Sequence, residues 1–259
     1  MNRASIESQL NNIPCDVEDT EEMFWLRESD DYQSKVKLGN LLAAQYRFKE
    51  AAQAYENAAS IKSTEPTLFL SLGGSYLTLF KYDEALLAYE KAMSLGASAK
   101  ALAYPLGILH YLKQDYHKAC EYFLQCLPCG GEMKIAIIYW HTLASYLAGT
   151  TPTLLDEFTE DMDVGHHTAY KKAVSVFKAN AGPVNNALNN KNAYSANDEP
   201  DCSSDNDLDR AIILYGLSVY YNHIGNNEKS SAALDEALKC DSVWPCVSYL
   251  AAYRLKARH

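Results

Sequence analysis

Cys126-Leu127-Pro128-Cys129, followed by Gly130-Gly131, has the spacing of a dithiol redox couple or of half a zinc site. A C-x-x-C turn brings two sulfurs within reach of each other or of one ion. The context argues for packing instead. A redox motif of this kind follows a strand and opens a helix, whereas this one closes a helical pattern. No second C-x-x-C completes a zinc ribbon, and Cys120, His117 and His110 fall on different helix faces. His166-His167 is the other candidate for ligation. Adjacent histidines do not readily face one ion from a helix, and no acidic or cysteine ligand is spaced to join them, so the pair reads as a loop-to-helix junction. Cys240 and Cys246 flank Trp244-Pro245 and read as packing residues. The phosphate-binding, dinucleotide-binding, nucleophile-elbow and zinc-protease motifs are all absent. The sequence therefore assigns no catalytic residue, no cofactor and no metal site, and the chain is expected not to be an enzyme.

The elements that carry these residues repeat. Gly39, Gly73 and Gly107 lie 34 residues apart. Twelve residues after each comes an alanine (Ala51, Ala85, Ala119), then an aromatic (Tyr55, Tyr89, Phe123), then a small residue (Ala58, Ala92, Cys126). Small residues at the glycine and alanine positions let two antiparallel helices approach closely, and the aromatic fills the space between that pair and the next unit. Tyr82-Asp83-Glu84-Ala85-Leu86-Leu87-Ala88-Tyr89 has apolar residues at helical spacing. A helix pair of this size cannot bury its apolar face alone, so units stack on their neighbours.

This pattern resembles the tetratricopeptide repeat family. The resemblance implies an all-α, right-handed superhelical solenoid of helix–turn–helix repeats. The first helix positions depart from the family at Leu42 and His110, where Tyr76 keeps the aromatic, and the closing proline is missing from all three units. Residues 1–31 form an acidic capping segment, 32–133 three repeats, and 134–181 a degenerate fourth repeat with an insertion of roughly 20 residues. Residues 182–210 form a polar linker, and 211–259 a fifth repeat with a C-terminal capping helix over Val247 to Arg258. The fourth repeat's second helix is expected at His167 to Ala179, with a helical turn or two within Leu154 to Met162.

Asp16 to Asp31 holds eight acidic residues and one Arg, interrupted by Met23, Phe24, Trp25 and Leu26. It is expected to form a helix whose aromatics cap repeat one; the alternative is a segment that docks on a partner or on a second copy of the chain, giving a homodimer.

In the tetratricopeptide family the first helix of each repeat lines a concave surface. Carried onto this sequence, the partner groove comprises Asn40, Leu70, Leu77, Tyr104, Ile108, Tyr111, Ile138, Tyr139 and Tyr146. It is uncharged apart from Lys37 and becomes aromatic towards repeats three and four, which suits an apolar helix or an extended segment. Filling of the groove by the chain's own insertion or N-terminal segment is the alternative. A carboxylate clamp of the kind that grips chaperone C-termini is not implied: Asn40 matches it, but Val36, Ser71, Ala101 and Pro105 do not. Phe69-Leu70-Ser71-Leu72-Gly73, Tyr82-Asp83-x-Ala85 and Tyr104-Pro105 resemble the tetratricopeptide chaperones of bacterial type III secretion.

A 259-residue chain with 23 Lys+Arg against 33 Asp+Glu has a net charge of −10. That disfavours nucleic acid and anionic membranes as partners, since both demand positive charge. The apolar runs fall short of the about 20 residues needed to span a bilayer, and no signal-peptide-like run opens the chain. The expected setting is the cytoplasm, with seven unpaired cysteines. The function expected is a protein-binding adaptor or chaperone. A scaffold subunit, or a thiol or metal protein built on Cys126 and Cys129, are the alternatives.

Overall fold

The computed structural model describes residues 18–179, 204 and 206–257. These form helices and turns, with no strand among the described residues. The helices are α1 (Glu21–Glu28), α2 (Tyr32–Ala44), α3 (Phe48–Ile61), α4 (Pro66–Thr78), α5 (Tyr82–Ser94), α6 (Ala99–Leu112), α7 (Tyr116–Gln125), α8 (Gly131–Ala148), α9 (Thr168–Ala179), α10 (Asp207–His223), α11 (Asn227–Ala237) and α12 (Val247–Lys256). The all-α pairing of consecutive helices expected from the 34-residue period is the architecture observed. The helices group into two compact units, Met1–Leu109 and His110–His259.

In the first unit, α2 pairs with α3 and α4 with α5, and α3 packs on α4. The period explains the pairing. Tyr55 and Tyr89, each 2 % exposed, lie against Gly39 and Gly73. Ala51, Ala58, Ala85 and Ala92 are fully buried between the helices. Helix starts are set locally. Asp31 caps α2 by accepting from Ser34 N, and Pro66 occupies the first turn of α4, where its missing N–H costs nothing. Tyr46 and Phe80, both at φ near +60°, reverse the chain at the equivalent place in the two pairs.

Helix α1 packs on α2, but not through its aromatics. Met23 is fully buried, whereas Phe24 and Trp25 are exposed. The expectation that the aromatics cap repeat one is therefore corrected. On a helix of eight residues only one side can face α2, and Met23 lies on it while its two successors point away. Ionic contacts complete the docking. Arg27 Nε and Arg47 Nη1 each lie 2.5 Å from an oxygen of Asp19, and both arginines reach Glu50 Oε2 at 2.7 Å.

The second unit is built around α8. Every residue from Ile135 to Ser145 is buried, because α7, α9, α10 and the 3₁₀ turn Thr153–Glu157 surround it. A helix apolar on all sides belongs at the centre of a core, and the run Ile135 to Trp140 meets that condition. After α8 come the 3₁₀ turn Thr153–Glu157 and then α9, both packed on it. The fifth pair is α10 and α11, with α12 packed on both. Helix α10 begins at Asp207, inside the expected linker. Asn206 caps it by accepting from Leu208 N, and Asp207 and Asp209 occupy its first turn, where the helix dipole favours anions. The rest of the 182–210 linker, apart from Ser204, lies outside the described residues, as do Cys15 and Cys202.

Candidate functional site

The expected groove divides into an open part and a closed one. In the first unit the outer faces of α2 and α4 are accessible. Gln33, Lys37, Asn40, Thr67 and Ser71 are exposed, and Val36, Leu70 and Gly74 are half-buried. A Cβ added at Gly74 would meet nothing within 4 Å, so the surface is open there. On α6, Ala101 is exposed and Tyr104 half-buried. Leu77 and Ile108 do not belong to this surface; at 8 % and 2 % exposure they are core residues.

Tyr55 organises the open face. Its ring fills the space that the missing side chain of Gly39 leaves, which carries its hydroxyl through to the surface. That hydroxyl donates to Asn40 Oδ1 at 2.8 Å, with Ser71 beside it. Burial raises the Tyr55 pKa, so the phenol stays protonated. With its oxygen engaged, the exposed Asn40 keeps an NH₂ group able to donate. The cation of this face is compensated: Lys37 Nζ sits 2.6 Å from Glu22 Oε1 of α1. The face is therefore polar, uncharged on balance and able to hydrogen-bond.

In the second unit the equivalent positions are covered. Tyr111, Ile138 and Tyr139 are 2 %, 1 % and 0 % exposed. The Tyr139 hydroxyl donates to the Ile212 carbonyl of α10 at 2.6 Å, and the Tyr111 and Tyr215 hydroxyls are 2.6 Å apart. A Cβ at Gly216 would lie 2.7 Å from Tyr139 Cε2 and 3.1 Å from Phe177 Cζ, so α10 seats directly on α8. Tyr146 remains half-buried, stacked on the His223 ring at 4.0 Å. The expectation that Tyr111, Ile138 and Tyr139 line an accessible groove is corrected. The fifth pair's own first helix fills that place. Much of the tyrosine excess is thereby explained as core: Tyr111, Tyr139, Tyr215 and Trp140 form one cluster of edge-to-face and tilted rings. Burial pushes the Tyr111, Tyr139 and Tyr215 phenols well above their ordinary pKa. Gly216 was not singled out in the sequence, where it falls off the 34-residue frame.

The cysteines behave as packing residues. Cys126 ends α7, is 5 % exposed, and its thiol faces the Tyr122 carbonyl at 3.5 Å; burial raises its pKa to about 11. A thiol so disposed is a poor nucleophile at neutral pH. Cys129 is half-buried, and neither cysteine belongs to a cluster of three potential ligands among the described residues. His166 and His167 stand at the entry to α9, as the junction reading expects. They do meet an acidic residue, however, since Glu132 of α8 lies beside both.

Residues 66–95, the α4–α5 pair, match the family model described as tetratricopeptide repeat. No curated protein matches the chain. Among solved structures, the chain is similar to YrrB, described as a TPR protein with an unusual peptide-binding site. The identity is 18 % over 92 % of this chain and 98 % of that one, with a TM-score of 0.45. No helix of the described residues is long and apolar enough to cross a membrane.

Proposed function

We propose that this chain is a non-catalytic adaptor that binds an extended, uncharged segment of a protein partner along α2 and α4, with Tyr104 of α6 as a further contact. The observation that carries this reading is the Asn40–Tyr55–Ser71 cluster. A buried tyrosine fixes the orientation of an exposed amide whose NH₂ group can donate to a peptide carbonyl. Leu70 and Val36 supply apolar contact beside it, as β-strand-like or extended ligands require. The tetratricopeptide match over α4–α5 supports protein binding as the class of function. A chaperone of the secretion kind rests on generic repeat positions in α4 to α6, so the adaptor reading is the one carried forward, in a cytoplasmic setting.

Site-specific photo-crosslinking tests it. A photoreactive side chain at Ser71 should capture a discrete partner in cell extract, and one at exposed Leu87 on α5 should not. Asn40→Ala combined with Leu70→Asp should abolish the Ser71 product while leaving the helical circular dichroism unchanged. Equal capture from both positions, or indifference to the double substitution, would sink the assignment.

A second reading has its own observation. Phe24 and Trp25 are exposed on α1, their rings edge-to-face at 5.6 Å. Adjacent exposed aromatics are what an assembly contact uses. In this reading the chain is also a scaffold subunit that self-associates through α1. Light scattering should then show a dimer that Phe24→Ser with Trp25→Ser converts to a monomer; a monomeric parent chain removes the reading.

A further inference from the structure

We infer that Glu132, His166 and His167 form a site for one divalent transition-metal ion of the zinc type. The three residues come from two places in the chain. Glu132 sits in the first turn of α8, and the histidines close the insertion just before α9. Their donor atoms all lie within 4.8 Å of one another. His166 Nδ1 is 3.7 Å from Glu132 Oε1, and His167 Nδ1 is 3.8 Å from Glu132 Oε2. Donors about 2.1 Å from a tetrahedral zinc ion sit roughly 3.4 Å from each other, so the side chains must draw together by up to about 1.5 Å to seat the ion. The adjacency that seems to forbid a shared ion does not apply, because the histidines are in a turn rather than a helix. Their rings are stacked, centroids 4.6 Å apart and planes 28° apart.

The surroundings are built to hold the three donors together. His167 Nδ1 is buried and has no hydrogen-bond partner, which is costly unless something occupies its lone pair. Gly165 adopts φ +51°, and a Cβ there would come within 2.6 Å of Glu132 Cδ; only glycine lets the carboxylate lie over the turn. Lys134 Nζ, two residues on from Glu132, pairs with Glu157 Oε2 of the insertion at 2.7 Å. Lys171 Nζ donates to the Glu160 carbonyl at 2.6 Å. Two imidazoles and one carboxylate suit zinc, copper or nickel rather than magnesium or calcium. Three protein ligands leave a fourth position for water. Bound there, the ion would staple the insertion to α8.

The test uses the full chain, stripped with chelator and kept reduced, titrated with Zn²⁺ by calorimetry and with Co²⁺ by absorption. We expect one tight ion per chain. Its cobalt spectrum should show weak visible bands from nitrogen and oxygen donors, with no thiolate charge-transfer band. Glu132→Gln, His166→Ala and His167→Asn should each weaken binding about tenfold or more. The His166 side chain is 81 % exposed, so its removal cannot unfold the chain and serves as the deciding variant. Absence of stoichiometric binding overturns the site. So does an affinity unchanged by His166→Ala, or a cobalt spectrum dominated by sulfur, which would put the ion on the cysteines.

Discussion

Gly73 and Tyr89 occupy the same space: a Cβ on Gly73 would lie 2.7 Å from Tyr89 Cδ1 and 3.0 Å from Cζ. One pair earlier, Gly39 and Tyr55 repeat the relationship at 2.6 and 2.9 Å. The tyrosine ring takes the volume a side chain would use, and the helices of a pair close on it. Gly73→Ala should therefore destabilise the first unit by roughly 2–3 kcal/mol, since a buried ring cannot yield without leaving its rotamer. Tyr89→Leu relieves that clash, so the double variant should cost less than the sum of the two single ones. A urea-denaturation cycle measures the coupling; strict additivity would mean that the contact is not what sets the glycine.

The Tyr111 and Tyr215 hydroxyls satisfy each other in a buried core. Tyr215→Phe strands the Tyr111 hydroxyl and should cost about 1–2 kcal/mol. Replacing both by Phe should cost less than twice that, because no orphan remains. Chemical denaturation of the three variants checks this. Tyr111→Ala should instead unfold the second unit rather than report on partner binding.

His141 is 2 % exposed on α8, and burial lowers its pKa from 6.5 to about 4. The folded value lies below the unfolded one, so its neutral form contributes full stability above pH 6.5. As pH falls towards 4 the unfolded chain takes up the proton first. The second unit should lose up to roughly 3 kcal/mol across that window. His141→Gln should flatten that part of the stability profile in pH-dependent thermal melts. A profile as steep in the variant as in the parent would assign the titration to another group.

Arg47 ties Asp19 to Glu50, and with Arg27 it holds α1 in place. The Arg27 hydrogen bond, aided by Arg47, holds the Asp19 pKa near 2, below its ordinary 3.8. The contribution is therefore present above pH 3.8 and is lost as pH falls towards 2. Arg47→Met should free α1, seen as faster tryptic cleavage at Arg27, with about 1 kcal/mol lost from global stability. Unchanged cleavage would leave Met23 as the sufficient anchor.

Local chemistry made much of this legible. The 34-residue spacing of glycine, alanine and aromatic foretold the pairs α2–α3 and α4–α5, because helix period and close approach are properties of neighbouring residues. The late second helix α9 could be placed from Ala173 and Phe177 alone. The start of α10 is not legible in composition, since Asn206, Asp207 and Asp209 read as linker although they also cap a helix and line its first turn.

What the sequence determined, then, is the set of elements and the surface of each first helix. Which of those surfaces stays open was decided by tertiary structure. Tyr139 is as good a groove residue as Leu70 by position, but α10, more than seventy residues further on, donates Ile212 and Gly216 to cover it. The meeting of Glu132 with His166 and His167 has the same origin. Their sequence separation carries no periodic signal, and only the path of the insertion back to the first turn of α8 brings the carboxylate to the imidazoles.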